Sequence, residues 1–390
     1  MKIFWKPPRA AVFFALVFST VFFTTCAVPF QPPPRSDLAF AAAGGRHSAA
    51  VTEGGQLWLW GAGESGQLGD GSWLARGFPV RAGAGQNWAS ISAGNAHTVA
   101  ITESGQLWAW GNNRYGQLGD GSRINRAFPV RIGTASNWTA ASAGDYHTVA
   151  ITADGWLWAW GNNESGQLGD GSRINRSSPT RAALAAGGSA NWAAASAGGS
   201  HTLALTSSGQ LWAWGNNESG QLGDGSLASR VFPARIGNAG QWTEVSAGGS
   251  HTLALTPGGQ LWAWGAGESG QLGTGTFAGR ASPARTGGAS NWARVSAGGS
   301  HSLALTADGH LWVWGAGESG QLGDGTHAGR RASPTRVGCT AGWAAVSAGG
   351  THSLAIRADG QILAWGNNRQ GQAGDGTWIQ TRPFPANPGF

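Results

Sequence analysis

From residue 38 onward, short runs of alternating apolar and small polar residues are separated by glycine-bearing turns. In one such stretch, Trp88 to Ala93 is an apolar-leaning run and Gly94 opens a turn. His97-Thr98-Val99-Ala100-Ile101 alternates and halts at Glu103-Ser104-Gly105. Gln106-Leu107-Trp108-Ala109-Trp110 alternates again, with both tryptophans on one face, as a period of two requires. A long loop, Gly111 to Ala127, leads to Phe128-Pro129-Val130-Arg131-Ile132. Pro129 suits a sheet edge, where its missing N–H costs no ladder bond. No window carries helical periodicity, so the pattern predicts four short antiparallel strands and nothing else.

That stretch is one copy of seven. Ala-Gly-x-x-His places its histidine at His47, His97, His147, His201, His251, His301 and His352, spaced by 50, 50, 54, 50, 50 and 51 residues. The glycine closing x-Leu-Trp-x-Trp-Gly keeps the same rhythm from Gly61 to Gly366. A period near 50 built of short strands is the mark of a propeller blade. The chain is therefore predicted to be an all-β, seven-bladed β-propeller over 38–390, with units 38–87, 88–137, 138–191, 192–241, 242–291, 292–342 and 343–390. Leu38 replaces the opening tryptophan of the first unit, and Leu363 replaces the first tryptophan of the last pair. Those adaptations predict that Leu38–Ala43 packs beside the last unit and closes the ring.

Composition changes the picture mainly at the N-terminus. Lys2, Lys6 and Arg9 precede an apolar stretch from Ala10 to Phe23, too short for a comfortable membrane span of ~20 residues. Residues 1–27 read as a signal segment and 28–37 as a proline-rich spacer, so the propeller is expected to be exported. Thr25-Cys26-Ala27 supports cleavage after Ala27, and Phe23-Thr24-Thr25-Cys26 is a loose lipobox that would lipidate Cys26. An uncleaved anchor is the third outcome, and these are the only membrane attachments anticipated. Three of the 25 basic residues lie in this segment, leaving 22 against 19 acidic ones. A balance of +3 does not advertise nucleic-acid binding. Lys2 and Lys6 are the only lysines, which excludes a Schiff-base or P-loop lysine from the propeller. Either cleavage leaves Cys339 without a partner, so the fold cannot rest on disulfides.

The segment 196–225, Ser-Ala-Gly-Gly-Ser-His-Thr-Leu-Ala-Leu-Thr through Gly-Gln-Leu-Trp-Ala-Trp-Gly-Asn-Asn-Glu-Ser-Gly-Gln-Leu-Gly-Asp-Gly, resembles the repeat of the regulator of chromosome condensation family. With its export signal the chain looks like a bacterial-type secreted member. The resemblance covers all seven units and implies the propeller. Its functional implications diverge: nucleotide exchange on a small GTPase with chromatin binding, trapping of an extracellular enzyme (as by a secreted β-lactamase inhibitor of similar fold), or UV-B sensing. The photoreceptors' Gly-Trp-Arg-His-Thr motif would put tryptophan where this chain has Gly45, Asn95, Asp145, Gly199, Gly249, Gly299 and Gly350. The export signal opposes a cytosolic or nuclear GTPase partner.

The remaining motifs read as architecture. Gly61-Ala62-Gly63-Glu64-Ser65-Gly66 satisfies G-x-G-x-x-G but leads into Gln-Leu-Gly-Asp-Gly, with no helix to receive a pyrophosphate. The seven histidines encircle an axis, with no second ligand at zinc spacing, and each is expected to bond to a neighbouring turn. The Gly-Asp-Gly aspartates suggest Asx-turns. No catalytic constellation breaks the repeat, so no enzymatic activity, cofactor or metal is expected. Up-and-down strand order would place seven long loops on one face, with near-constant turns and variable tips. A rigid scaffold with variable tips is how binding proteins are built. The candidate partner-binding residues are Trp73, Arg76, Arg126, Arg176, Arg230, Phe277, Arg280, Arg330, Trp378 and Arg382. The expected partner is a folded protein, bound by a monomeric propeller.

Overall fold

The computed structural model describes residues 38–183, 191–237, 241–288, 291–327 and 329–389. The expected signal segment (1–27) with Cys26 and the expected spacer (28–37) lie outside the described residues. Strands are numbered β1–β28 in chain order, four to each of seven sheets. Blade 1 comprises β1 (Leu38–Ala43), β2 (His47–Thr52), β3 (Leu57–Gly61) and β4 (Arg76–Ala82). Blade 2 repeats it with β5 (Trp88–Ala93), β6 (His97–Thr102), β7 (Leu107–Gly111) and β8 (Arg126–Arg131). The last blade ends the series with β25 (Trp343–Ala348), β26 (His352–Arg357), β27 (Ile362–Asn367) and β28 (Thr381–Ala386). Every sheet is an antiparallel meander in chain order, which is the predicted seven-bladed propeller. The fourth strand starts two residues earlier than the sequence pattern suggests, because Arg126 pairs with Gly111 across a bulge.

Successive first strands touch one another, so they line the axis, and the proline-bearing fourth strands form the outer edges. The second strand is buried along its whole length in blade after blade, since it has a strand on either side and a blade against each face. Between blades 1 and 2, Val51, Leu57, Leu59 and Leu68 of one blade meet Trp88, Ala100 and Trp110 of the next. The Trp88 ring lies 6.1 Å from Trp108 at 79° and 6.0 Å from Trp110 at 56°. Both members of the Trp-x-Trp pair thus point at the preceding blade, as the period of two requires. A buried tryptophan removes ~150–250 Å² from water, at most ~4–6 kcal/mol each at ~25 cal/mol/Å².

The ring closes as the terminal substitutions predicted. β1 packs on β25 and β26. Ala43, Trp58 and Trp60 share a core with Leu354, Ile356 and Ile362.

Candidate functional site

Two rings of polar contacts hold the axial end of the blades. In the first, the backbone N–H after the Ala-Gly glycine donates to the glycine carbonyl of the next blade. Gly45 N donates to Gly94 O at 3.0 Å, and the series runs round to Gly350 N on Gly44 O at 3.0 Å. The approach requires glycine at most positions: a Cβ on Gly199 would lie 2.5 Å from Gly249 O.

The second ring corrects the expectation for the histidines. Each bonds not to a turn but to the hydroxyl that follows the histidine of the next blade. His97 Nε2 lies 3.0 Å from Thr148 Oγ1, and that hydroxyl donates to Gln117 O at 2.8 Å. With its proton committed to the carbonyl, the threonine accepts, so the imidazole is the Nε2–H tautomer. Trp160 Nε1 donates to the same carbonyl at 2.9 Å. The relay recurs in every blade and ends with His352 Nε2 at 2.9 Å from Ser48 Oγ. Burial, aided by the neighbouring imidazoles, lowers the pKa from 6.5 to about 3 at His47, His97, His147, His251 and His352. Burial lowers it to about 4 at His201 and His301.

By strand direction, the long loops leave from the same end as these turns. Asp120 Oδ1 accepts from the backbone N–H of Ser122 at 2.9 Å and from its hydroxyl at 2.7 Å, which is the expected Asx-turn. Arg126 closes the loop from the start of β8, with Nη2 2.7 Å from Asp120 Oδ2. Arg76, Arg176, Arg230 and Arg382 make the same clamp on Asp70, Asp170, Asp224 and Asp375. Burial alone would raise these carboxyl pKa values. Bonds from the serine and arginine outweigh it and hold Asp70, Asp120, Asp170 and Asp224 below the ordinary range. Five arginines selected as partner contacts are therefore loop braces first, with about a third of each side chain still exposed. Arg330 and Arg280 depart from this. In blade 6 the clamp belongs to Arg331 on Asp324 at 2.9 Å. Arg330 instead donates to Glu268 O at 2.6 Å and lies 5.0 Å over the Phe277 ring. In blade 5 Thr274 replaces the aspartate, and Arg280 is exposed.

The loop interior explains the glycine motifs. Asn113 Nδ2 reaches Asp120 Oδ1 and the Ile124 carbonyl, at 3.0 and 3.1 Å, and Asn113 Oδ1 accepts from Leu118 N at 3.0 Å. Where this asparagine is Gly63, the opposite limb moves in: a Cβ on Gly63 would lie 1.9 Å from Leu74 O. G-x-G-x-x-G is thus the alternative to an asparagine brace.

Between turn and clamp the chain bulges outward, and its tip is exposed. Trp73, Phe277 and Trp378 are 48%, 49% and 54% exposed. Leu74, Ile124, Ile174, Leu227 and Ile379 are more or equally so. Four of these aliphatic residues, Leu74, Ile124, Ile174 and Ile379, stand four residues after the Gly-Asp-Gly aspartate, and Leu227 stands three after it, a spacing that marks them as tip residues alongside the aromatic candidates. Inside the loop circle, the seven axial turns surround a depression of about 380 Å³, lined among others by Arg46, Asn95 and Asp145.

A family model described as the RCC1-like domain matches residues 24–237 and again 181–388. No curated protein matches significantly. Human WBSCR16 is similar in structure, with a TM-score of 0.74, 24% identity, and coverage of 84% of this chain and 88% of that one. Yeast RCC1 (Prp20), solved bound to Kap60, gives 0.76 and 23%, over 91% of this chain and 85% of its own. The CRINKLY WD40 ectodomain of the Arabidopsis thaliana receptor kinase ACR4 gives 0.54 and 14%, over 90% and 98%.

Proposed function

This chain belongs to the RCC1-like domain family, and from that premise we propose that it is an exported, non-catalytic scaffold that binds a folded protein through the face of long loops. The observation that carries this reading is the combination of braced loops with exposed apolar tips. Asx-turn, clamp and asparagine brace fix the backbone, so little conformational entropy is lost on docking. Large apolar residues recur at the tips on a single face, where a merely solvated loop has no reason to carry them. Yeast RCC1 (Prp20), of the same fold, is described in complex with Kap60 and for its binding to Gsp1p and histones, which fits a scaffold whose partners are proteins. Glu64, Glu164, Glu218, Glu268 and Glu318 stand in the same loops as the arginines, so the face suits a protein surface better than a polyanion.

Export rests on the segment before the propeller. N-terminal sequencing of the mature protein is expected to start at Val28 or to find acylated Cys26. An intact Met1 on soluble cytoplasmic protein would refute that part. The binding face is tested by replacing Trp73 and Trp378 with Ser and measuring capture of the partner from culture supernatant. The fold should persist, and binding should weaken by ~2 kcal/mol or more if either is a hot spot. Substitutions at Glu103 and Ser104, on the opposite face, serve as controls. Loss of binding there, with the tip variants unaffected, would place the interface on the wrong side.

A further inference from the structure

The Gly-Asp-Gly turn of each blade lies against the outer strand of the next, and one side chain on that strand decides what covers it. In four seams it is phenylalanine. A Cβ added to Gly71, Gly171, Gly325 or Gly376 would run into the ring of Phe128, Phe232, Phe384 or Phe78 respectively, so each ring rests on the second glycine of the turn. In the other three seams the position holds Ser178, Ser282 or Ser333. Two of these keep the clamp at the same turn, Asp120 with Arg126 and Asp224 with Arg230. The seam between blades 5 and 6 has neither ring nor clamp, because Thr274 stands for the aspartate and Ser333 for the phenylalanine.

The two departures line one cavity. A recess of about 430 Å³ opens in this seam between Thr274 and Gly275 of the blade 5 turn, Ser333 of β24 (Arg330–Arg336), and Trp292 and Trp312 of blade 6. Ser333 is too short to cover the turn: a Cβ on Gly275 would still be 3.8 Å from its Oγ. The two indoles meet edge to face, with centroids 5.7 Å apart at 74°. Arg285, near the end of β20 (Arg280–Thr286), also lines the recess and is exposed. Gly275 stands two residues before the tip residue Phe277, which ties the recess to the face of long loops.

We propose that this recess receives an aromatic side chain of the protein partner, laid on Gly275 as the chain's own phenylalanines are laid on the equivalent glycine of four other seams. The lining favours a ring over an aliphatic group. Indoles pair with a further ring, and an arginine guanidinium stacks on one. With Thr274 in place of the aspartate, no carboxylate of the turn opposes the ring's electron-rich face. The inference rests on the reading that a protein docks through the long loops. It adds the kind of residue that the partner presents at one seam.

Ser333→Phe supplies the ring from within the chain. The variant should fold, because four seams already carry phenylalanine at that position. On the full-length protein, saturation-transfer NMR with acetyl-Gly-Phe-Gly-amide is expected to show saturable binding, with the strongest transfer at the ring protons. Acetyl-Gly-Leu-Gly-amide should bind about tenfold more weakly, the worth of aromatic pairing beyond buried area. In S333F the phenylalanine peptide should lose its saturable signal. Equal binding of the two peptides, an undiminished signal in S333F, or no saturable binding of the phenylalanine peptide would overturn the assignment. Should S333F fail to fold, the comparison of the two peptides on the native chain still decides. These titrations need no partner, and the loop-tip variants alter blades 1 and 7 alone, so either reading can fail without the other.

Discussion

A single histidine in each repeat links the polar atoms of two neighbouring blades. It donates to a hydroxyl on the next blade, and that hydroxyl donates back to the loop carbonyl of the histidine's own blade. Its Nδ1 has no partner, so protonation would add a buried donor with nothing to receive it. The sign of the pH dependence follows. A base whose folded pKa lies below its unfolded value near 6.5 binds its proton only after unfolding, so stability is full above that value. It is lost as pH falls toward 3–4. Each histidine contributes a slope of about 1.4 kcal/mol per pH unit in that window, and seven act together. The melting temperature should therefore drop steeply between pH 6.5 and 4.5, above the range where the clamped aspartates titrate. A flat profile there would contradict the neutral relay. Replacing His201 by Ala should cost ~1–3 kcal/mol, because Thr252 loses the donor it accepts from; denaturant unfolding measures it.

At the scale of the loop, blade 5 is a natural deletion experiment. Thr274 bonds only sideways to Thr276, at 3.2 Å, while Arg280 holds the clamp register opposite Gly265. Thr274→Asp should complete both the Asx-turn and the clamp and stabilise the propeller by up to about 1 kcal/mol, since the arginine end of such pairs is partly exposed. The corresponding removal, Asp170→Ala, leaves Asn163 and Arg176 without their shared acceptor and should loosen the tip. Increased proteolysis within 170–176, with the rest of the chain resistant, would show it. Equal protease sensitivity in both proteins would mean that the backbone alone holds the loop.

For the molecule as a whole, the seam between blades 7 and 1 lacks the covalent connection that every other pair possesses. It is held by the same contacts as elsewhere: Ser48 Oγ donates to Gln372 O at 2.9 Å, and Trp60 Nε1 to that carbonyl at 2.8 Å. The Ala43 N–H adds a bond to Ser347 Oγ at 2.9 Å. Deleting Leu38–Ala43 would unpair β2 and bare Leu354 and Ile356. Such a truncation should lose cooperative unfolding and bind a hydrophobic dye; a sharp two-state transition in it would show that β1 is dispensable for closure.

The chain's own pattern determined the blade number, the strand positions, the outer-edge prolines and the architectural meaning of G-x-G-x-x-G. All of these depend on residues close in sequence and on a period of two repeated seven times. The closure of the ring was also legible, because Leu38 and Leu363 break the tryptophan rhythm at the two ends. What crosses from blade to blade was not. A histidine that opens a strand looks the same whether it bonds a turn or a hydroxyl some fifty residues away, and only the packing angle between sheets chooses the hydroxyl. Arg126 reads as a presented tip residue until the loop folds back and sets it on Asp120. Arg330 looks equivalent, yet one extra residue gives that role to Arg331. Tyr115 and Tyr146 stand in different repeats, and nothing local relates them. Their rings meet edge to face because a long loop of one blade overhangs the axial turn of the next, a relation that exists only once the sheets are arranged around an axis.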